Sequence, residues 1–240
     1  MSNRFYIDAD LAVNHPTELT EPVFHHWVRV LRAKVGDQAV LFNNQGGEYT
    51  VQLIEINKKN ATISVESFCA DNRTPQFRAV LGQVMSKGDR MDYAIQKSVE
   101  LGVSSIQLLT SERCEMRLKY ERDQKKIDHW QAVAIAACEQ CGLNQIPRVL
   151  PPLPLTEWLQ HSLPNTKFVL APTDDHAEDI TAQLSHDVCL LVGPEGGLSA
   201  HEIEQANQAG FKNWCIGERV LRTETAPVVA LSILNFILKS

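Results

Sequence analysis

Hydrophobic and polar residues follow two different rhythms along this chain. Up to about position 70 the apolar runs are short and repeat with a period of two. Gln38–Phe42 reads as one strand and Asn43–Gly47 as a turn. Tyr49, Val51 and Leu53 then alternate with polar residues through Glu48–Ile56, the mark of a half-buried strand. Lys58-Lys59-Asn60 turns the chain into Ala61–Val65. Short strands separated by turn residues predict a small β-barrel or sandwich.

Beyond Asp71–Pro75, which reads as a linker, the rhythm changes. Val80–Met85 predicts a strand. Gly88 to Leu101 predicts a helix with Gly102 at its C-terminal end. Ile106–Leu109 is a further strand, and a long helix runs from about Tyr120 to Cys141, where Gly142 stops it. Lys167–Ala171, Val188–Gly193 and Trp214–Gly217 complete the strands. Strand–helix alternation implies an α/β fold with a mostly parallel sheet. The expected domains are residues 1–72 and 76–240.

Totals narrow the class only slightly. The 240 residues are 44% hydrophobic and 22% charged, which is ordinary globular composition. Ala226–Leu238 is the longest nearly apolar run, but it contains Ser232 and Asn235 and is too short to span a bilayer. Met1–Phe5 leads into acidic residues without an apolar signal core. The expectation is a cytoplasmic protein with no membrane partner. Among the six cysteines, Cys138 and Cys141 form the C-x-x-C, and no second pair follows at zinc-finger spacing. Reduced thiols and no metal are expected. The net charge of −6 argues against an indiscriminate nucleic-acid binder, so any RNA contact must come from local clusters.

Three predicted strand ends carry unusual residues. Ligands of open α/β sheets sit beyond such ends. The first is Leu170-Ala171-Pro172-Thr173. The second is Val192-Gly193-Pro194-Glu195-Gly196-Gly197-Leu198-Ser199. Its glycines allow positive φ and close approach to a ligand, and its exposed peptide groups can read an adenine edge. A tight strand-to-helix turn is the alternative. Ser199 and Glu202 have capping-box spacing. The third is Cys215-Ile216-Gly217, followed by Leu221 to Thr225. Thr223 or Thr225 can cap the next helix, and Glu224 suits a helix start. Arg222 does not, because a cation there is disfavoured, so it reads as reserved for an anion or a partner group.

The second and third segments together, Val192 to Glu202 and Gly217-x-x-Val220-Leu221-Arg222-Thr223-Glu224-Thr225, resemble the SPOUT superfamily. Within it the chain resembles the RsmE family of uridine-N3 methyltransferases acting on 16S ribosomal RNA of the small subunit. Arg29–Arg32, Leu81–Gly88, Ile95–Val103, Ser111–Cys114 and Ala136–Gly142 share the resemblance. It implies a trefoil-knotted C-terminal domain, a PUA-like RNA-binding barrel before it, and a homodimer. It also implies S-adenosylmethionine as cofactor. That ligand would be held by Leu170, Ala171 and Pro172; by Gly193, Pro194, Glu195, Gly196 and Gly197; and by Ile216, Gly217, Val220, Leu221, Arg222, Thr223 and Thr225.

The methylation chemistry needs N3 deprotonated and the resulting anion stabilised. Glu139 and Glu224 are the carboxylates nearest the family motifs. Arg113 and Arg222 can stabilise the uracil anion, and Arg222 is the expected one. For RNA, His25 to Lys34 interleaves cations with Trp27; His26, Arg29, Arg32 and Lys34 are candidates for phosphate and base contact. An amphipathic helix with a solvated face is the alternative. Arg113 and Arg117 belong to a second cluster, with Lys119, Arg122, Lys125 and Lys126. Interspersed acids allow an ion-paired helix surface there. Arg4 and Lys87 are further candidates.

Overall fold

The structure is a computed structural model that describes residues 3–116, 124–171 and 184–238. The chain packs as two units. One holds Met1–Thr74 with Cys138–Ile146, and the other holds Pro75–Ala137 with Pro147–Ser240.

The first unit is built on β1 (Asn3–Tyr6), β2 (Pro16–Glu18), β3 (Gln38–Phe42), β4 (Glu48–Ile56) and β5 (Ala61–Cys69). Their order in the sheet is β1-β3-β4-β5-β2. β1 runs parallel to β3, and the pairs β3/β4, β4/β5 and β5/β2 are antiparallel. Between β2 and β3 a short helix, α1 (Glu21–Val23), passes into a π-helix over Phe24–Val30. Phe24 and Trp27 point from it into a core that includes Leu41, Val51, Leu53 and Ile63. Alternation along β4 leaves Val51 and Leu53 fully buried, as the period-two pattern requires.

The second unit contains β6 (Arg78–Val84), α2 (Arg90–Glu100), β7 (Ser105–Thr110), α3 (Gln124–Cys141, its last turn counted with the first unit), β8 (Arg148–Pro154) and α4 (Leu155–Trp158). It continues with β9 (Thr166–Leu170), β10 (Asp187–Val192), α5 (Ala200–Gln208), β11 (Lys212–Asn213) and α6 (Ala226–Ile237). The sheet order is β11-β9-β10-β6-β7-β8, and every pairing is parallel. From β6 the chain builds outward to β8. It then returns to the opposite side, so direction reverses between β6 and β10. That is the switch point where such sheets bind ligands.

Local signals explain the element ends. Gly102 (φ +81°) and Gly142 (φ +93°) follow α2 and α3 in the left-handed region that ends helices. Ser199 Oγ accepts the Glu202 N–H while the Glu202 carboxylate accepts the Ser199 N–H, a complete capping box at α5. Two expectations need correction. The last strand lies at Lys212–Asn213 rather than Trp214–Gly217, because after Trp214 N–H bonds Val169 O the chain leaves the sheet. Neither Thr223 nor Thr225 caps α6 with its side chain: Thr225 is at the cap position without a side-chain bond, and the Thr223 hydroxyl is used elsewhere.

Candidate active site

A cavity of about 570 Å³ lies beyond the carboxyl ends of β9 and β10, a size suited to a small organic ligand. Leu170 and Ala171 close one side. The turn Gly193–Leu198 forms the floor. Val220 to Glu224 covers the other side. A second hollow of about 240 Å³ continues it along Ile216 and Gly217, sharing Leu170, Val220 and Leu221. Thr223 fastens the segments. Its hydroxyl donates to Gly193 O at 2.6 Å and accepts from Gln83 Nε2 at 3.1 Å. The last residues of β6, the turn after β10 and the approach to α6 are therefore held at one point.

Of the three glycines in the turn, only Gly197 has positive φ (+69°). At Gly193 the requirement is space, since a Cβ would come within 3.0 Å of the Leu198 side chain. The turn is braced from outside. Arg113 Nη1 donates to Gly196 O at 3.0 Å, and Glu202 also accepts the Glu112 N–H at 2.8 Å. Arg90, the first residue of α2, pairs with Glu195 at 2.7 Å, and the Lys87 N–H donates to the same carboxylate oxygen at 3.3 Å. Burial works to raise the Glu195 pKa. Its own backbone N–H, Arg90 and the Lys87 N–H outweigh that and hold the carboxyl below its usual range.

Polar chemistry at the opposite wall is less satisfied. The Arg222 side chain is 75% exposed, and among the described residues its nearest carboxylate oxygen, on Glu224, is 4.0 Å away. The other oxygen of Glu224 is buried without a hydrogen-bond partner in the protein. A buried acceptor in that state is costly unless a ligand supplies the donor. The cavity thus combines backbone turns, apolar side chains, the Arg222 guanidinium and the Glu224 carboxylate.

The sequence-predicted cofactor residues divide cleanly. Leu170 and Ala171, Gly193 to Gly197, and Val220 to Thr223 line the main cavity. Ile216 and Gly217 line its extension. Thr225 lines neither hollow, and Pro172 falls outside the described residues. Of the proposed catalytic groups, Arg222 and Glu224 face the cavity. Glu139 does not line it. Its carboxylate accepts the Tyr6 N–H at 2.9 Å within the first unit, where burial pushes its pKa up.

Among the RNA candidates, His26, Arg29, Arg32 and Lys34 are exposed on the first unit, around and after the π-helix. Arg29 donates to Lys58 O and lies over the Phe24 ring. Arg113 and Lys87 line an adjoining cleft in the second unit, and Arg117 is outside the described residues. Arg4 is a correction. It pairs with Glu48 at 2.5 Å, donates to Leu143 O at 3.0 Å and to Asn144, and covers the Phe42 ring, so both terminal nitrogens of its largely buried side chain are engaged inside the fold. Arg90 and Gln83 were missed. For Arg90 a signal existed, the same cation at a helix start that singled out Arg222.

A ligand cavity framed by strand-end turns at the switch point of a parallel sheet defines an α/β protein built to hold a small organic ligand. The comparisons with known proteins go further. The RNA methyltransferase domain family matches residues 72–235, and the RNA methyltransferase PUA domain matches residues 19–66. Ribosomal RNA small subunit methyltransferase E of Buchnera aphidicola (Schizaphis graminum strain) is 37% identical over 97% of this chain and 95% of its own. The Bacillus subtilis protein of that name is 30% identical over 91% and 89%. The crystal structure of methyltransferase E from Neisseria gonorrhoeae, bound to S-adenosylmethionine, superposes with a TM-score of 0.92 at 34% identity, covering 99% of this chain and 98% of that one. The chain belongs to the ribosomal RNA small subunit methyltransferase E family. Among its described residues no helix is long and apolar enough to cross a membrane, and no group of three acidic, His or Cys side chains can hold a metal ion.

Proposed function

We propose that this enzyme methylates N3 of uridine 1498 in 16S ribosomal RNA, using S-adenosylmethionine, and works as a homodimer. The observation that carries the reading is the Thr223–Gly193 hydrogen bond, which joins the cofactor segments around a cavity of suitable size. The Leu170, Gly193–Gly197 and Leu221–Thr223 backbones hold the adenosine part, and Glu224, which also lines the cavity, offers its carboxylate to the ammonium of the amino-acid part. Bound there, S-adenosylmethionine supplies a methyl group already activated as an electrophile.

The protein's own residues supply position and charge. Aligning uracil N3 with the cavity contributes on the order of 7–11 kcal/mol toward the barrier. Arg222, exposed and without a close counter-charge among the described residues, stabilises the negative charge that develops on uracil as N3 loses its proton. Basic residues of the first unit, His26, Arg29, Arg32 and Lys34, contact the RNA backbone. The same reading carries a trefoil knot in the C-terminal segment and a closed barrel in the first unit. It also accounts for the apolar surface left open in a single chain: Phe236 on α6 is 86% exposed and Val220 79%. A second copy covers that surface.

The test is incubation with labelled methyl donor and small subunits from cells lacking the modification. N3-methyluridine at one position is the expected product, and label at a 2′-oxygen or another base would refute the reading. In calorimetry, Gly196→Val is expected to lose binding of S-adenosylhomocysteine while remaining folded, since its Cβ already meets the Arg113 side chain at 3.4 Å and the larger group intrudes on the cavity.

A further inference from the structure

Next to the cofactor cavity lies a larger cleft of about 890 Å³. The two hollows share Arg90, Arg113, Glu195 and Gly196. Two guanidinium groups therefore stand where one chamber opens into the other. Each is pinned to the cofactor turn, Arg113 to Gly196 O at 3.0 Å and Arg90 to the Glu195 carboxylate at 2.7 Å. Glu195 and Gly196 are consecutive, so both arginines are anchored to the same two-residue stretch of the turn. Each arginine has five N–H donors, and these contacts use one apiece. Among the described residues no other acceptor takes their remaining donors.

Arg90 is hard to explain as helix structure. It is the first residue of α2, where the helix dipole disfavours a cation. Its one carboxylate partner is in the cofactor turn, 105 positions away in the chain. Glu195 is held ionised by donors on several sides, which keeps it available to fix the guanidinium.

We propose that Arg90, together with Arg113, binds the two carbonyl oxygens of the target uracil, with Glu195 as the positioning residue for Arg90. The proposal rests on the N3-uridine reading above. Uracil presents O2 and O4 on either side of N3. Donors on both oxygens leave N3 itself free to face the cofactor cavity. They also hold the charge that spreads onto O2 and O4 when N3 is deprotonated. Cytosine places an amino group where O4 stands. That group would meet a guanidinium donor with a donor of its own, so the pair selects uracil over cytosine.

The full-length Arg90→Ala enzyme tests this with small subunits carrying uridine or, by mutation, cytidine at the target. The expected result is a fall of about 10²–10³ in kcat, larger than any accompanying loss of S-adenosylhomocysteine affinity. The rising limb of its pH–rate profile moves to higher pH, because the uracil anion has lost a stabilising charge. Arg90→Lys recovers part of the rate, and Glu195→Gln, which keeps the shape, loses about tenfold. A structural role for Arg90 would move neither the pH profile nor the kcat-to-KM balance. Wild-type kcat and pH profile in Arg90→Ala would overturn the proposal, as would a loss of cofactor affinity large enough to explain the rate. If the wild-type enzyme forms no N3-methyluridine, the underlying reading fails first; if it does while Arg90→Ala behaves as wild type, only the uracil-binding role falls.

Discussion

The polar cluster of the first unit and the strand-end cleft of the second each set a carboxylate among cations, yet the two carboxyls are pushed in opposite directions. Glu139 is raised by burial, which outweighs the Tyr6 N–H and the charges of His26 and Arg4. Glu195 is lowered, because its own N–H, Arg90 and the Lys87 N–H together outweigh its burial. The arginines differ in the same sense. Arg4 has a side chain only 10% exposed and is committed to Glu48 and two acceptors after α3. The Arg222 side chain is 75% exposed, with its nearest counter-charge among the described residues at 4.0 Å. A cation buried and paired within the fold supports structure, and one left exposed can act on a ligand.

The largest expected effect tests that contrast directly. Arg222→Ala is predicted to lower kcat about 10³-fold, about 4 kcal/mol of transition-state stabilisation. Urea denaturation should be unchanged within about 0.5 kcal/mol, as for surface substitutions generally. A stability loss with unimpaired turnover would reverse the assignments of Arg222 and Arg4.

Arg4→Ala is the counterpart. The substitution removes three hydrogen bonds, to Glu48, Leu143 O and the Asn144 side chain, while Glu48 keeps Arg73 and the Asn144 amide as donors; the loss is about 3 kcal/mol. Trp27 is fully buried in the same unit, and its fluorescence should report the earlier urea midpoint. The double variant Arg4→Met with Glu48→Leu should recover part of the loss. Full stability in Arg4→Ala together with weakened RNA binding would place Arg4 with the ligand-facing cations instead.

A smaller effect is expected from Thr223→Val. The substitution keeps the shape but removes the donor to the half-buried Gly193 O and one of the two acceptors of the buried Gln83 amide. The cost is about 2 kcal/mol, and S-adenosylhomocysteine affinity measured by calorimetry should fall about tenfold as the segments separate. Unaltered affinity would mean that the cavity is set by the turns alone.

What could be read from the chain follows from how local each cause is. Gln38–Phe42 and Glu48–Ile56 agree in sequence and structure because a period of two and its flanking turns lie within a few residues. The glycine stops after α2 and α3 and the Ser199–Glu202 box are equally local. β8 was missed because Pro151 and Pro152 break a strand pattern. It is tolerated at the sheet edge, where only β7 needs its hydrogen bonds. The π-helix at Phe24–Val30 has the apolar spacing of an ordinary amphipathic segment. In the site, the glycine-rich turn was visible as a turn. The partners of Arg90, Arg4 and Glu139 were not, since each is set by packing between distant segments. A cation marked by its local context showed that something was needed at Arg222, without showing what, and the same mark at Arg90 went unread.

The smallest predicted effect concerns Glu139 and sets the sign of the opening contrast. Its folded pKa lies above the ordinary glutamate value of 4.5. The stability linked to its protonation is therefore fully present below pH 4.5 and is lost as pH rises through the folded value. At neutral pH the ionised carboxylate is a net cost to the first unit. Glu139→Gln cannot ionise, and its side-chain carbonyl can still accept the Tyr6 N–H. The variant should match wild type near pH 4 and exceed it by less than about 1 kcal/mol at pH 7, read from urea midpoints across that range. If the glutamine variant is instead weaker at pH 7, attraction to His26 and Arg4 outweighs burial at Glu139, and the two carboxylates are held by the same balance rather than opposite ones.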